Sequence, residues 1–243
     1  MDERTRVRWL TAVVSSPHAD AVRFWSAVTG STPDGSAGYV PLRPQNADPY
    51  VWLDRDDREV RLIVHVDDPA VAVQRAASLG ATRIDASDSM ARLTSPGGLA
   101  FGVTGAGPPR RRPAPLSWPG GHRSILDQVS VDISPGAHET EVAFLESLLG
   151  WPVRHGARPE FDYLVRQPEQ ALRILLQRLD VPAYGATSTH VDLACDSVPD
   201  EVARHLALGA TLVADYPLWT TMRDPAGAAY CLTRRSPDTG ALT

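Results

Sequence analysis

The chain has 243 residues, 43% of them hydrophobic and 22% charged, a globular balance that excludes a disordered or fibrous polypeptide. A formal net charge of −5 gives no general attraction to nucleic acid or to an anionic membrane. Two cysteines, Cys195 and Cys231, are too few for a disulfide framework, and no secretory leader or long apolar span is visible, so a soluble cytoplasmic chain is expected.

In chain order the predicted elements repeat. Residues 12–30 read as an apolar strand, a Ser/Pro turn and an amphipathic helix ending in glycine, and residues 131–150 read the same way. Phe24 and Phe144 both lie six residues before the closing glycine. Residues 63–68 (IVHVDD) resemble residues 189–194 (THVDLA), which makes His65 and His190 counterparts. A short helix follows each, ending in the tetrapeptide Leu-Gly-Ala-Thr at 79–82 and 208–211. Ser95-Pro96-Gly97-Gly98 then answers Asp224-Pro225-Ala226-Gly227, at the same interval from that tetrapeptide. Four landmarks in one order identify a tandem duplication. The expected organisation is copy one over residues 1–104, a Pro/Arg-rich solvated linker over 105–121, copy two over 122–235 and a tail over 236–243.

Within copy two the pattern predicts a half-covered strand over 129–133 and a helix over 140–149 with Val142, Leu145 and Leu149 on its core stripe. Gly150 is placed to cap that helix, and hairpin-like strands follow over 161–165 and 172–176. A strand over 190–194, a helix over 199–208 and two strands around the Asp-Pro-Ala-Gly turn complete the copy. Each copy is thus α+β, two βαβββ-type modules whose curved sheets must pair to bury their faces.

This order of elements, with Leu149-Gly150-Trp151, His190-Val191-Asp192-Leu193, Trp219 to Met222 and Asp224 to Leu232, resembles the vicinal oxygen chelate superfamily and its glyoxalase-like subgroup. The resemblance covers nearly the whole chain outside the linker and termini. It implies two tandem glyoxalase-like domains with cupped mixed sheets, a small organic molecule as partner, and an intramolecular pseudo-dimer open to further oligomerisation. In metal-dependent relatives a divalent ion (Zn, Ni, Mn or Fe) is held from the first strands of the modules and from a final strand. The matching positions here are Gln128, His190 and Cys231 in copy two, and Trp9, His65 and Gly102 in copy one.

Neither set offers three strong His, carboxylate or thiolate ligands, and Gln128 with His190 is all that a metal would find, so a metal-independent protein is expected. His190 is the candidate acid–base group, because histidine exchanges protons near neutral pH. Asp192, two residues on, points to the same sheet face and can orient it. Gln128, Tyr163, Gln177, Trp219, Cys231, His65, Trp9 and Trp52 are the candidate ligand-binding residues, with aromatics for stacking and Gln177 matched by Asp54 in copy one. Three readings stay open: a metal-independent lyase or isomerase using His190 and Asp192, an antibiotic- or metabolite-sequestering protein of the bleomycin-resistance type, and a metal-dependent glyoxalase or dioxygenase.

Overall fold

A computed structural model describes residues 5–56, 61–86, 90–108, 110–180 and 187–243. Copy one runs β1 (Val7–Ser15), α1 (Ala19–Thr29), β2 (Thr32–Pro33), β3 (Tyr39–Arg43), β4 (Val51–Asp54), β5 (Leu62–Val66), α2 (Pro69–Ser78), β6 (Thr82–Ala86), β7 (Ala91–Thr94) and β8 (Ala100–Gly105). The segment between the copies contributes β9 (Leu116–Ser117). Copy two follows with β10 (Arg123–Ile133), α3 (His138–Leu149), β11 (Val153–His155), β12 (Phe161–Leu164), β13 (Arg173–Arg178), β14 (Ser188–Cys195), α4 (Val198–Ala207), β15 (Thr211–Asp215), β16 (Trp219–Arg223) and β17 (Ala229–Arg234).

The class is α+β, and the described residues form two mixed sheets and four helices. The sheet orders are β2-β3-β4-β1-β5-β8-β7-β6 and β11-β12-β13-β10-β14-β17-β16-β15, so each copy supplies one sheet in the same order. In both, the only parallel pairing described joins the first and last strands of the second module, β5 with β8 and β14 with β17. Among the described residues, no helix is long and apolar enough to cross a membrane.

The second modules match strand for strand. A shift of 129 residues carries Leu62↔Phe101 onto Val191↔Tyr230 and Ala91↔Val103 onto Thr220↔Leu232. The shared Leu-Gly-Ala-Thr has a physical cause. In each copy the glycine takes a left-handed turn (Gly80 φ 98°, Gly209 φ 97°), and the alanine amide reaches back to Ala76 or His205 at 3.0 Å. That closes the helix with the bond pattern that favours glycine just past the last turn. The same glycine abuts the proline of the following turn, with a β-carbon site 3.1 Å from Pro96 and 3.7 Å from Pro225. The contact accounts for the equal interval between the two motifs.

By compactness the chain falls into two units that cut across the copies: residues 1–13, 59–110 and 129–189, and residues 14–58, 111–128 and 190–243. In the first unit, α3 packs on the second module of copy one, with Phe144 and Phe101 centroids 5.7 Å apart. The second unit repeats this in mirror roles, Phe24 of α1 lying 5.7 Å from Tyr230 of β17. So the first helix of each copy packs on the second module of the other.

The turns at those contacts show how one geometry is held by two chemistries. Asp224 Oδ1 accepts from the amides of Ala226 and Ala228 at 2.9 Å, and Oδ2 accepts from Trp25 Nε1 at 2.8 Å. Copy one has Ser95 there, and the carboxylate arrives from α3 instead. Glu141 accepts from Ser95 Oγ and from the Gly97 amide, each at 2.7 Å, while Ser95 Oγ takes the Leu99 amide at 2.8 Å. Burial raises the Glu141 carboxyl above the ordinary range, against these hydrogen bonds. Ser95 is therefore a compensated substitution.

Two sequence expectations shift. The core face of α3 is Glu141, Phe144, Leu145, Leu148 and Leu149, with Val142 at its edge, because a buried glutamate turns the stripe. Strand β10 starts at Arg123, and Ser130 within it is fully buried, so this central strand is covered on both faces.

Candidate functional site

Strand β14 sends Val191, Leu193 and Cys195 into the core, and alternation sends His190 and Asp192 to the opposite face. The parallel neighbour β17 places Cys231 beside Asp192 in register, and the antiparallel β16 sets Thr221 opposite Cys231. Gln128, near the middle of β10, completes the group. Its Nε2 donates to Asp192 Oδ2 at 2.5 Å, and His190 Nε2 stands 3.3 Å from Asp192 Oδ1. Thr221 Oγ1 lies 3.6 Å from Cys231 Sγ.

Asp192 is 2% exposed, whereas the His190 side chain keeps 15%. The imidazole is the member of the set that reaches outward. One donor atom each from His190, Asp192 and Cys231 lie within 4.8 Å of one another. This overturns the expectation that copy two assembles no third strong ligand. Sequence alone groups Gln128, His190 and Cys231 and gives Asp192 orienting or acid–base work; that Asp192 stands beside Cys231 follows from the register between β14 and β17, strands far apart in the chain.

Behind this group, Arg235 makes a buried bidentate pair with Asp127 at 2.7 and 2.9 Å. Burial disfavours the guanidinium's charge, but Asp127 and, more weakly, Asp192 hold it above its ordinary value. At the start of β16, Trp219 stacks on Tyr216 with centroids 4.8 Å apart and planes 27° apart. Tyr216 is 44% exposed, so the pair lies partly open to solvent. Thr221 and Tyr216 were missed in the sequence, where nothing but their spacing from Cys231 and Trp219 marked them.

The remaining candidates divide. Tyr163 and Gln177 sit half-buried on paired strands of the other compact unit, where Gln177 pairs with Phe161, and in copy one Asp54 pairs with Tyr39. Trp52 is half-buried and tilts on Tyr39 at 6.4 Å. Trp9 is fully buried, with the Arg110 guanidinium 6.0 Å from its ring centre, and packs as core.

His65 needs a correction. The 129-residue shift pairs it with Ala194, and the counterpart of His190 is Arg61. His65 sits in the core with Thr11 Oγ1 2.9 Å from Nε2 and an Arg110 nitrogen 3.3 Å from Nδ1. Burial first and Arg110 second depress it to about 3, with the Gly105 backbone opposing, so it is neutral at physiological pH. The apparent match arose because both strands carry His-Val-Asp, four residues out of register.

Copy one places Arg61, Ile63 and Gly102 where copy two has His190, Asp192 and Cys231, and Met90 where it has Trp219. The space a side chain at Gly102 would fill is taken by Met90, with Sδ 2.5 Å and Cγ 3.1 Å from the β-carbon position. At the positions of Asp192 and Cys231, copy one has apolar packing.

Comparison with known proteins agrees with this architecture. Among solved structures, the chain is similar to a Mn(II)-bound glyoxalase from Novosphingobium aromaticivorans, at 20% identity and TM-score 0.65, covering 96% of this chain and 83% of that one. It is similar to a catechol 2,3-dioxygenase at 16% identity and TM-score 0.59, covering 98% and 92%. A variant of 4-hydroxymandelate synthase from Streptomyces coelicolor gives 18% identity and TM-score 0.57, covering 98% and 95%. No curated protein matches by sequence. The model of the glyoxalase-like domain matches twice, over residues 11–104 and 128–233, one match on each copy. With most of its length accounted for in this way, the chain belongs to the glyoxalase-like domain family of the vicinal oxygen chelate superfamily.

Proposed function

We propose that copy two is the working half of the protein, binding a small organic molecule over His190, Asp192 and Cys231, and that these three residues hold a divalent metal ion. The observation that carries this reading is the convergence of an imidazole nitrogen, a carboxylate oxygen and a thiol sulfur within 4.8 Å. The donor types fit a catalytic rather than a structural ion, since three protein ligands leave a position for substrate. One neighbour in fold is a Mn(II)-bound glyoxalase. When bound, such an ion supplies Lewis-acid polarisation of a ligand oxygen.

The chain's own residues do the rest. Gln128 holds the Asp192 carboxylate in one orientation through its amide, and a donor other than a proton-exchanging group is suited to that task. The Tyr216–Trp219 stack offers a flat apolar surface that orients a planar substrate and excludes water from one side. Thr221 lies against the Cys231 sulfur and can hydrogen-bond to it.

A second reading is favoured by the His190–Asp192 contact of 3.3 Å: a metal-free acid–base pair acting as lyase or isomerase, with the same ligand site. Titration with Co²⁺ separates the two. The first reading expects one equivalent bound, a thiolate charge-transfer band that disappears in Cys231→Ser, and weakened binding in Asp192→Asn. Absence of saturable binding and of the band sinks it. Turnover with unchanged rate after exhaustive chelation, lost in His190→Ala, establishes the acid–base pair.

A further inference from the structure

The segment between the copies has a chemistry that the His190 group does not use. Together with the end of α1, the loop between β3 and β4 and the start of β10, residues 111–116 enclose a cavity of about 500 Å³. That volume is ordinary for a small-molecule site. None of its lining residues belongs to the His190 group.

The frame is fixed at both ends. Asp48 and Arg111 exchange two bonds, Asp48 N to Arg111 O at 3.0 Å and Arg111 N to Asp48 Oδ2 at 2.6 Å. Leu116 packs so tightly on Gly30 that a β-carbon there would lie 2.9 Å from Leu116 Cδ1. Strand β9 pairs with β10, and Trp118 just beyond it lies under the Arg204 guanidinium at 3.7 Å. Pro113 and Pro115 fix their backbone angles and bring no amide donors, which leaves the roof pre-organised. Instead of a solvated linker, the segment is a docked strap.

The lining is one-sided in charge. Among the described residues that line the space, Arg111 and Arg112 contribute two cations and there is no Asp or Glu, while Asp48 bonds the Arg111 amide and Asp127 acts on Tyr50 from beyond the lining. The Nε of Arg112 is buried without a hydrogen-bond partner. Other arginines of this chain meet acids, as Arg8 meets Asp67, Arg43 meets Asp34 and Arg235 meets Asp127. A buried donor left unmatched costs free energy unless a ligand completes it. Tyr50 is 5% exposed, and burial first and the Asp127 carboxylate second raise its hydroxyl above the ordinary range, against Arg112, so it stays protonated and able to donate. Val28, Leu116 and Ile125 give apolar walls.

We propose that this cavity binds a small organic anion, a carboxylate on an apolar body, with Arg112 as counter-ion and Tyr50 as a second donor. Calorimetric titration of the full chain with benzoate and hexanoate, and with benzamide as the neutral isostere, tests it. The expected result is saturable binding of a carboxylate probe, with benzamide and Arg112→Gln each at least about tenfold weaker, the scale of one lost charge-assisted bond. Arg112→Lys, which keeps the charge and the fold, should recover part of that loss, and Tyr50→Phe should weaken binding less than Arg112→Gln. His190→Ala should bind the probes unchanged, so this site and the copy-two site fail independently. Equal affinity for benzamide, unchanged affinity in Arg112→Gln, loss in His190→Ala, or no saturable binding at millimolar probe would each overturn the proposal.

Discussion

Copy one and copy two carry the same second module in the same register, yet one has an apolar plug where the other has a polar group. Arg61, Ile63, Gly102 and Met90 stand against His190, Asp192, Cys231 and Trp219. What both copies keep is the frame: the glycine that closes the second helix, the proline it touches, and the turn that receives the first helix of the other copy. The frame is the same in both copies, while the face of the strands differs between them. Equivalent backbones thus carry two different sets of side chains.

The largest expected effect lies in the turns, where the two solutions can be broken separately. A β-carbon at Gly97 would meet Glu141 Cβ and Cδ at 2.9 Å each, whereas Ala226 already carries one at the matching position. Gly97→Ala should therefore cost about 2–4 kcal/mol, as overpacking against a buried charged group does. Ala226→Gly should cost under about 1 kcal/mol. Urea denaturation of both variants reads the difference. Similar losses would show that the two turns are held alike.

Next in size is the buried network on α4. Glu201 accepts hydrogen bonds from His122 (2.8 Å), Ser124 (2.6 Å) and Arg204 (2.7 and 2.8 Å), and His205 adds a contact at 3.2 Å. The counterparts of Glu201 and His205 in copy one are Ala72 and Ala76. Burial raises the Glu201 carboxyl, but Arg204 and His205 outweigh it and hold the group well below the usual carboxylate range. A depressed acid stabilises the folded state above its unfolded value near 4.5, and the benefit is lost as pH falls through the folded value. Glu201→Gln should cost about 1–3 kcal/mol at neutral pH and flatten the decline of stability below about pH 4.5. An unchanged acid limb would remove Glu201 from the network's energetics.

The sequence made the duplication and the element order legible because both rest on local signals: glycine closures, turn prolines and apolar periodicity. It made His190 and Asp192 legible as a same-face pair for the same reason. Asp192 as the neighbour of Cys231, the plug at Met90 and the mismatch of His65 with His190 all depend on register between strands far apart in the chain, which residue types do not encode. Buried polar residues hid in the same way. Glu141, Glu201 and Ser124 read as exposed positions until their partners from other elements are in place. The strap was illegible because proline content announces an irregular backbone and says nothing of what that backbone covers.

His65 and its counterpart Ala194 give a smaller contrast. His65 is held neutral, with its value lowered from 6.5 to about 3, so folding is favoured above 6.5 and that benefit is lost as pH falls toward 3. His65→Gln keeps a hydrogen-bonding group for Thr11 without a titration. Its stability should fall less steeply than that of the parent between those two pH values, measured by thermal melts across the range. Parallel curves would mean that the histidine titrates as it does in the unfolded chain.

The smallest effect concerns the plug itself. Adding a methyl at Gly102 drives it onto Met90 Sδ at 2.5 Å and brings it within 3.4 Å of Ile63 Cγ1. Because the nearest atom belongs to a flexible thioether, the side chain can swing aside, and Gly102→Ala should cost only about 1 kcal/mol. Met90→Ala removes the obstacle and leaves a hole, so the double variant should lose less than the two single losses added together, by about 0.5–1 kcal/mol of coupling. Strict additivity would mean that Met90 does not fill the space over Gly102. The space over Gly102 would then be closed by a side chain other than Met90.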